Sequence, residues 1–182
     1  MEILFATGNK HKLGEANSIG KKFGVKFRKV DVPYPEIRDT DVARVAEAGA
    51  KFVFEKIKNP VIVEDSGLYI EALDGFPCTY SKFVFEKIGN EGILKLMETK
   101  DNKNAKFKSA IGYCDGKVVK VFVGIVEGKI TKNVKGSSGF GYDPIFVPRG
   151  QKKTFAEDYE LKNRISHRNT AITELCEWLV KR

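Results

Sequence analysis

A chain of 182 residues with 42% hydrophobic side chains, including 13 Phe, has the length of a single domain (residues 1–182) and enough apolar material for a full core. Its formal charge of +8 is spread along the chain among 24 acids, with no basic stripe or tail, which argues against stable nucleic-acid binding and suits a small polyanionic ligand or a solvated surface. No membrane-length apolar run and no basic-then-apolar leader is found, and the three cysteines are too scattered for a disulfide framework or a zinc site, so a cytoplasmic protein that makes no membrane contact is expected.

Hydrophobic patterning predicts the elements in turn. Residues 2–6 read as a strand, Thr7-Gly8-Asn9 as a turn, and residues 10–23 as a helix with Leu13, Ala16, Ile19 and Phe23 on one face. A second strand is expected over 25–30. Pro33-Tyr34-Pro35-Glu36 cannot be helix interior, because each proline biases its predecessor toward extended backbone. Thr40 or Asp41 is a suitable N-cap for a helix reaching about residue 58, with Val42, Val45, Ala46, Gly49 and Val53 on its apolar face.

Val61-Ile62-Val63 suits a short strand buried on both faces, ending in Glu64-Asp65-Ser66-Gly67 before Leu68, Tyr69 and Ile70 resume the apolar signal. A helical region is expected over 81–97, broken near Gly89-Asn90. It carries the second copy of an internal repeat: residues 51–59 read K-F-V-F-E-K-I-K-N and residues 82–90 read K-F-V-F-E-K-I-G-N. Two copies with unlike flanks do not make a solenoid, and the repeat implies only two similar amphipathic segments. Strands over 105–114 and 117–127 flank Asp115-Gly116, a hairpin signal. Residues 136–144 form a Gly-rich loop, a short run follows at 145–147, and a helix over 166–180 closes the chain with Ala171, Ile172, Leu175 and Leu179 inward. Early alternation of strands and helices, then a hairpin, predicts an α/β protein with a mixed sheet.

Several motifs could carry chemistry. Strand, T-G-N, helix is the geometry of a phosphate site, because unpaired N–H groups and the positive dipole end meet at a helix start. Thr7 and Asn9 add polar side chains and Lys10 and Lys12 add charge, although capping by Asn9 is the commoner explanation of such a motif taken alone. No Walker loop or dinucleotide fingerprint is present. Carboxylates at the end of a buried strand are costly unless they face a partner, a cleft or a metal. Read alone, E-D-S-G fits a solvated turn as well as a cation site. Glu36 and Asp65 are candidates for Mg²⁺, which takes few carboxylates alongside substrate oxygens. With only His11 and His167 in the chain, transition metals are disfavoured. Phe140 and Tyr142 in the Gly-rich loop suit either stacking on a nucleobase or core packing. Ser166-His167-Arg168 opens the last helix, where the His-Arg pair either caps it or points donors into a cleft.

Taken in order, T-G-N-K-H-K-L, Y-P-E, V-E-D-S-G-L, F-G-Y-D-P-I-F, T-F-A-E and K-N-x-x-S-H-R resemble the inosine/xanthosine triphosphate (dITP/XTP) pyrophosphatase family, over residues 5–168. The resemblance implies hydrolysis of dITP, ITP and XTP to the monophosphate and pyrophosphate, cleansing the nucleotide pool. It implies an elongated α/β body of two lobes around a long mixed β-sheet with flanking helices, an active site in the inter-lobe cleft, and a homodimer. It places the triphosphate against Thr7, Gly8, Asn9, Lys10, His11 and Lys12. It places Mg²⁺ on Glu36 and Asp65, with Asp65 also the general base, and gives Ser66 a substrate contact. Phe140, Gly141, Tyr142 and Asp143 would line the base pocket, with Phe140 stacking, and Lys162, His167 and Arg168 would reach the base and its 6-oxo group. Three departures from the pattern stand out: the connection before K-N-x-x-S-H-R is one residue short, Cys78 replaces a usual Gly, and Lys82 stands where Arg is common. The rival readings are a pyrophosphatase with another base preference and a basic nucleic-acid-binding module.

Overall fold

The patterning is realised almost element for element in the computed structural model, which describes residues 1–182. The elements are β1 (Glu2–Ala6), α1 (Lys10–Gly20), β2 (Lys26–Val30), α2 (Val42–Ile57), β3 (Val61–Ile70), β4 (Pro77–Cys78), α3 (Ser81–Met97), β5 (Asn104–Cys114), β6 (Val119–Ile130), β7 (Phe146–Pro148), α4 (Tyr159–Ile165) and α5 (His167–Val180). Asp41 is the N-cap of α2, its Oδ1 accepting from Ala43 N at 3.0 Å. Residues 128–130 continue β6. No helix is long and apolar enough to cross a membrane.

The strands form a seven-stranded sheet in the order β2-β1-β3-β5-β6-β7, with β4 paired to β3. β1 runs parallel to β2 and to β3, while β3–β4 and β6–β7 are antiparallel, so the sheet is mixed. Val61, Ile62 and Val63 are fully buried, as a parallel strand covered on both faces requires.

One expectation is corrected. The acids after Val63 do not lie in a turn: β3 is a single strand of ten residues, with Glu64 to Gly67 in its interior. Gly67 permits this, because a Cβ there would sit 2.1 Å from the Cys78 carbonyl oxygen. Cys78 itself has φ 49°, a left-handed backbone that accounts for glycine being usual at that place. Two elements escaped the pattern: β4, of two residues, and α4, of seven, are too short for a period to register. Asp158 caps α4 by accepting from Leu161 N at 2.9 Å.

The chain divides into two compact units: residues 1–65, 109–124 and 167–182 form the first, and residues 66–108 and 125–166 the second. In the first, Phe5, Ile62, Ile111, Ile172 and Leu175 centre one core and Ala50, Val53, Val61 and Val63 a second. In the second, Leu68, Ile70, Ile93, Phe107, Phe146 and Phe155 form the core. Burial contributes roughly 1.5–3 kcal/mol for each large apolar side chain. β3 passes from the first unit to the second between Asp65 and Ser66.

Candidate active site

In the first unit the T-G-N turn leads from β1 into α1. Asn9 is the N-cap: its Oδ1 accepts from His11 N at 2.9 Å and Lys12 N at 3.2 Å, and its own N–H donates to Thr7 Oγ1 at 3.1 Å. Those two amides are therefore satisfied within the protein, so any attraction for an anion would come from the helix dipole and the side chains of Lys10 and Lys12. A Cβ on Gly8 would meet no atom within 4 Å, so space lies open beside the turn.

The acids of β3 point to opposite faces, as successive strand residues must. Glu64 is buried, and its carboxylate is gripped by Arg168 from α5 through Nε at 2.9 Å to each oxygen and Nη2 at 2.8 Å. Ser109 Oγ donates to Glu64 Oε1 at 2.9 Å. Lys12 Nζ donates to the Glu64 main-chain oxygen at 3.1 Å and stands 3.9 Å from Oε1. Arg168 Nη1 pairs with Glu15 Oε2 at 2.5 Å, and Arg168, Glu15 and Glu64 are at most 5% exposed. Burial pushes the Glu64 carboxyl up, but Arg168 and Lys12, with the hydrogen bonds from Arg168 and Ser109, outweigh it and hold the carboxyl below its ordinary value. For Arg168, burial acts downward and the two glutamates outweigh it.

Asp65 lies on the other face, half-buried, with Val63. Tyr34, from the Pro33–Pro35 segment, packs near Gly49 of α2 and Val63: a Cβ on Gly49 would lie 2.9 Å from Val63 and 3.1 Å from the Tyr34 ring. The Tyr34 phenol is raised first by burial, then by the charges of Glu36, Asp65 and Glu64. One phenol thus feels all three acids, including the exposed Glu36 and, 29 residues further on, Asp65. Their donor set is hard oxygen with no imidazole or thiolate. No group of three or more His, Cys, Asp or Glu is assembled as a cage. A pair of carboxylates completed by substrate oxygens and water fits Mg²⁺.

In the second unit the Gly-rich loop is built around Asp143, whose Oδ2 accepts from Phe140 N at 2.8 Å and from Lys162 Nζ at 2.7 Å. Lys162, on α4, is 1% exposed, and its ammonium lies 4.3 Å from the centre of the Phe140 ring. Gly139 and Gly141 flank Phe140 with φ 77° and 62°, a conformation that favours glycine. Tyr142 is buried, its hydroxyl donating to the Ser81 carbonyl at 3.0 Å and its ring set edge-on to Phe85 at 5.3 Å. Tyr142 and Asp143 thus support the loop from inside, while Phe140 and Gly141 keep partial exposure. Ser66 is half-buried in β3, beside Asp65.

The family model described as "Ham1 family" matches residues 3–178. This chain belongs to the Ham1 family. A relative from Methanopyrus kandleri called dITP/XTP pyrophosphatase is 49% identical over 181 residues, 98% of this chain and 96% of its own. A protein of the same name from Thermococcus kodakarensis is 46% identical over 98% of this chain and 97% of its own. Among solved structures, a HAM1 protein from Coxiella burnetii superposes with a TM-score of 0.87 at 28% identity, covering 100% of both chains. The Staphylococcus aureus Ham1 protein gives 0.85 at 29% identity, covering 98% of both. The mixed seven-stranded α/β fold is the Ham1 fold.

Sequence patterning passed over Glu15, Ser109 and Tyr34 of this Ham1 chain. Glu15 did leave a signal: it falls one helical turn before Ile19, which puts a carboxylate on the apolar face of α1. The buried cluster also sets a pH response. The carboxyl of Glu64 is depressed on folding, so its contribution is fully present above its unfolded value of about 4.5 and is lost as pH falls through the lower folded value. In acid titrations followed by urea unfolding, wild type should lose stability below about pH 4.5 more steeply than Glu64→Gln. Equal acid slopes would show that Glu64 titrates alike in both states.

Proposed function

We propose that this Ham1-family protein hydrolyses deaminated purine nucleoside triphosphates (dITP, ITP and XTP) to the monophosphate and pyrophosphate. The observation that carries the reading is end-to-end similarity, at 49% and 46% identity, to proteins named dITP/XTP pyrophosphatase. The residue constellation supports it. In the first unit Thr7, Gly8, Asn9, Lys10, His11 and Lys12 take the triphosphate, where the α1 dipole and two lysines offset its charge. Glu36 and Asp65 would hold Mg²⁺, which when bound supplies charge neutralisation at the phosphates. Asp65 accepts the proton of the water that attacks the α-phosphorus, and pyrophosphate leaves; Ser66 orients the substrate beside it.

In the second unit Phe140 stacks on the base, with Gly141, Tyr142 and Asp143 fixing its loop. Lys162 of this unit would supply a donor toward the 6-oxo group of hypoxanthine or xanthine; His167 and Arg168, which the motif assigns to the same task, belong to the first unit. Adenine offers a 6-amino donor there instead, and a buried donor left unpaired costs roughly 1–3 kcal/mol. The homodimer and the cytoplasmic setting belong to the same reading; sedimentation equilibrium at the mass of one chain would contradict the dimer.

Product analysis tests the chemistry. With Mg²⁺, XTP should yield XMP and pyrophosphate in equal amounts, and chelation should stop the reaction. Release of orthophosphate and a diphosphate would place the attack at the γ-phosphorus and refute the assignment. Salt-sensitive binding of RNA or DNA without pyrophosphate release would favour the nucleic-acid module instead.

A further inference from the structure

The internal repeat holds one difference that the fold uses. In the first copy the eighth residue is Lys58, the C-cap of α2 at φ 51°, and the chain leaves the helix there. The ninth, Asn59, turns its amide back on its own segment and donates to the Ile57 carbonyl at 2.9 Å. In the second copy the eighth residue is Gly89, with φ 59° and ψ −163°, a backbone region essentially reserved for glycine. There the chain kinks and α3 resumes instead of ending. The ninth residue, Asn90, is thereby aimed away from its own segment. Its Nδ2 donates to the carbonyl of Gly141 at 3.2 Å, across 51 residues of sequence. Its Oδ1 is buried without a hydrogen bond; with the amide ends exchanged that oxygen would face the Gly141 carbonyl oxygen, so the donor is the end that meets it.

Gly141 follows Phe140 directly, and α3 holds this loop at two further points. The Ser81 carbonyl accepts from the Tyr142 hydroxyl, and Phe85 meets the Tyr142 ring. Ser81 is itself locked, its hydroxyl accepting from Leu68 N at 2.8 Å and donating to the Cys78 carbonyl at 2.7 Å. Those holds fix residue 142. Asn90 alone among them holds the carbonyl of Gly141, the residue next to Phe140, whose φ of 62° is a backbone conformation that favours glycine.

We propose that Asn90 is a positioning residue for base recognition: by tethering the Gly141 carbonyl it sets the plane of the Phe140 ring. The inference rests on the nucleotide reading above. It concerns the affinity for the base, not the reacting phosphate, so it is read in KM rather than kcat.

The test compares Asn90→Ala and Asn90→Asp with wild type on XTP, and uses Asn59→Ala in the first repeat copy as control. Asn90→Asp keeps the shape but turns a carboxylate toward the carbonyl. Losing one tethering hydrogen bond should raise KM for XTP by about 3–10-fold with kcat within about 2-fold, at least as much in Asn90→Asp as in Asn90→Ala. Asn59→Ala should leave both constants at wild-type values. Amide hydrogen exchange on the ligand-free protein should quicken at residues 140–142 in both Asn90 variants and not in Asn59→Ala. Unchanged KM and unchanged exchange in the Asn90 variants would overturn the proposal, as would a loss confined to kcat. If wild type itself releases no pyrophosphate from XTP, the nucleotide reading fails, and exchange at residues 140–142 still decides whether the tether exists.

Discussion

Asp65→Asn is expected to lower kcat on XTP by about 10²–10⁴-fold, the usual worth of a positioned general base, while nucleotide binding stays measurable by calorimetry. The substitution keeps size and hydrogen-bonding shape, and Asp65 lies half-buried on the face of β3 opposite the Glu64 cluster, so the fold should not respond. The same change lowers the charge around Tyr34, where Glu36, Asp65 and Glu64 are felt together. A second consequence is a higher Mg²⁺ concentration for half-maximal rate in Glu36→Gln, where the base is intact. Turnover of Asp65→Asn within about tenfold of wild type would remove Asp65 from the chemistry.

Arg168→Met should destabilise the protein by about 3–5 kcal/mol, because it strands two buried carboxylates, Glu15 and Glu64, that the guanidinium now neutralises. Urea unfolding at pH 7 measures the loss. Lowering the pH toward 4.5, near the ordinary carboxyl value, should narrow the gap to wild type as the stranded acids take up protons. Adding Glu15→Gln and Glu64→Gln should recover part of it, since a buried ion cluster replaced as a whole costs far less than one broken. A loss below about 1 kcal/mol would mean that the cluster is solvated in solution. The prediction also bears on selectivity. Arg168 was expected from its motif to reach the base, yet its Nε, Nη1 and Nη2 all contact carboxylates, so any reading of the 6-oxo group is made by a guanidinium held rigid from behind. The triple variant separates the two roles: it recovers part of the stability without restoring the donor.

Much of the fold was legible because its elements are long and periodic. The apolar face of α2, the hairpin at Asp115-Gly116 and the inward row of α5 need nothing beyond local spacing. What was not legible depends on distant partners. Whether Glu64 and Asp65 sit in a turn or inside a strand is decided by Gly67 meeting the Cys78 carbonyl and by Ser81 bonding Leu68 N, contacts made by residues 11 and 13 positions onward. Which acid faces inward follows from the pleat once the strand is continuous, and Arg168, 104 residues away from Glu64, has to arrive before that burial is tolerable. Motif order named the candidate residues as a set. It could not separate those that support the site, Tyr142, Asp143 and Lys162, from those that keep access to solvent, Phe140 and Gly141, because burial is a property of the packed loop.

Relative efficiency across nucleotides tests the central claim most directly. Pyrophosphate release should be followed for XTP, dITP, ATP and GTP under one Mg²⁺ concentration and compared as kcat/KM. Discrimination built on buried hydrogen bonds to the base predicts that XTP and dITP exceed ATP by about 10⁴-fold. Efficiencies for ATP and XTP within tenfold of each other would contradict it.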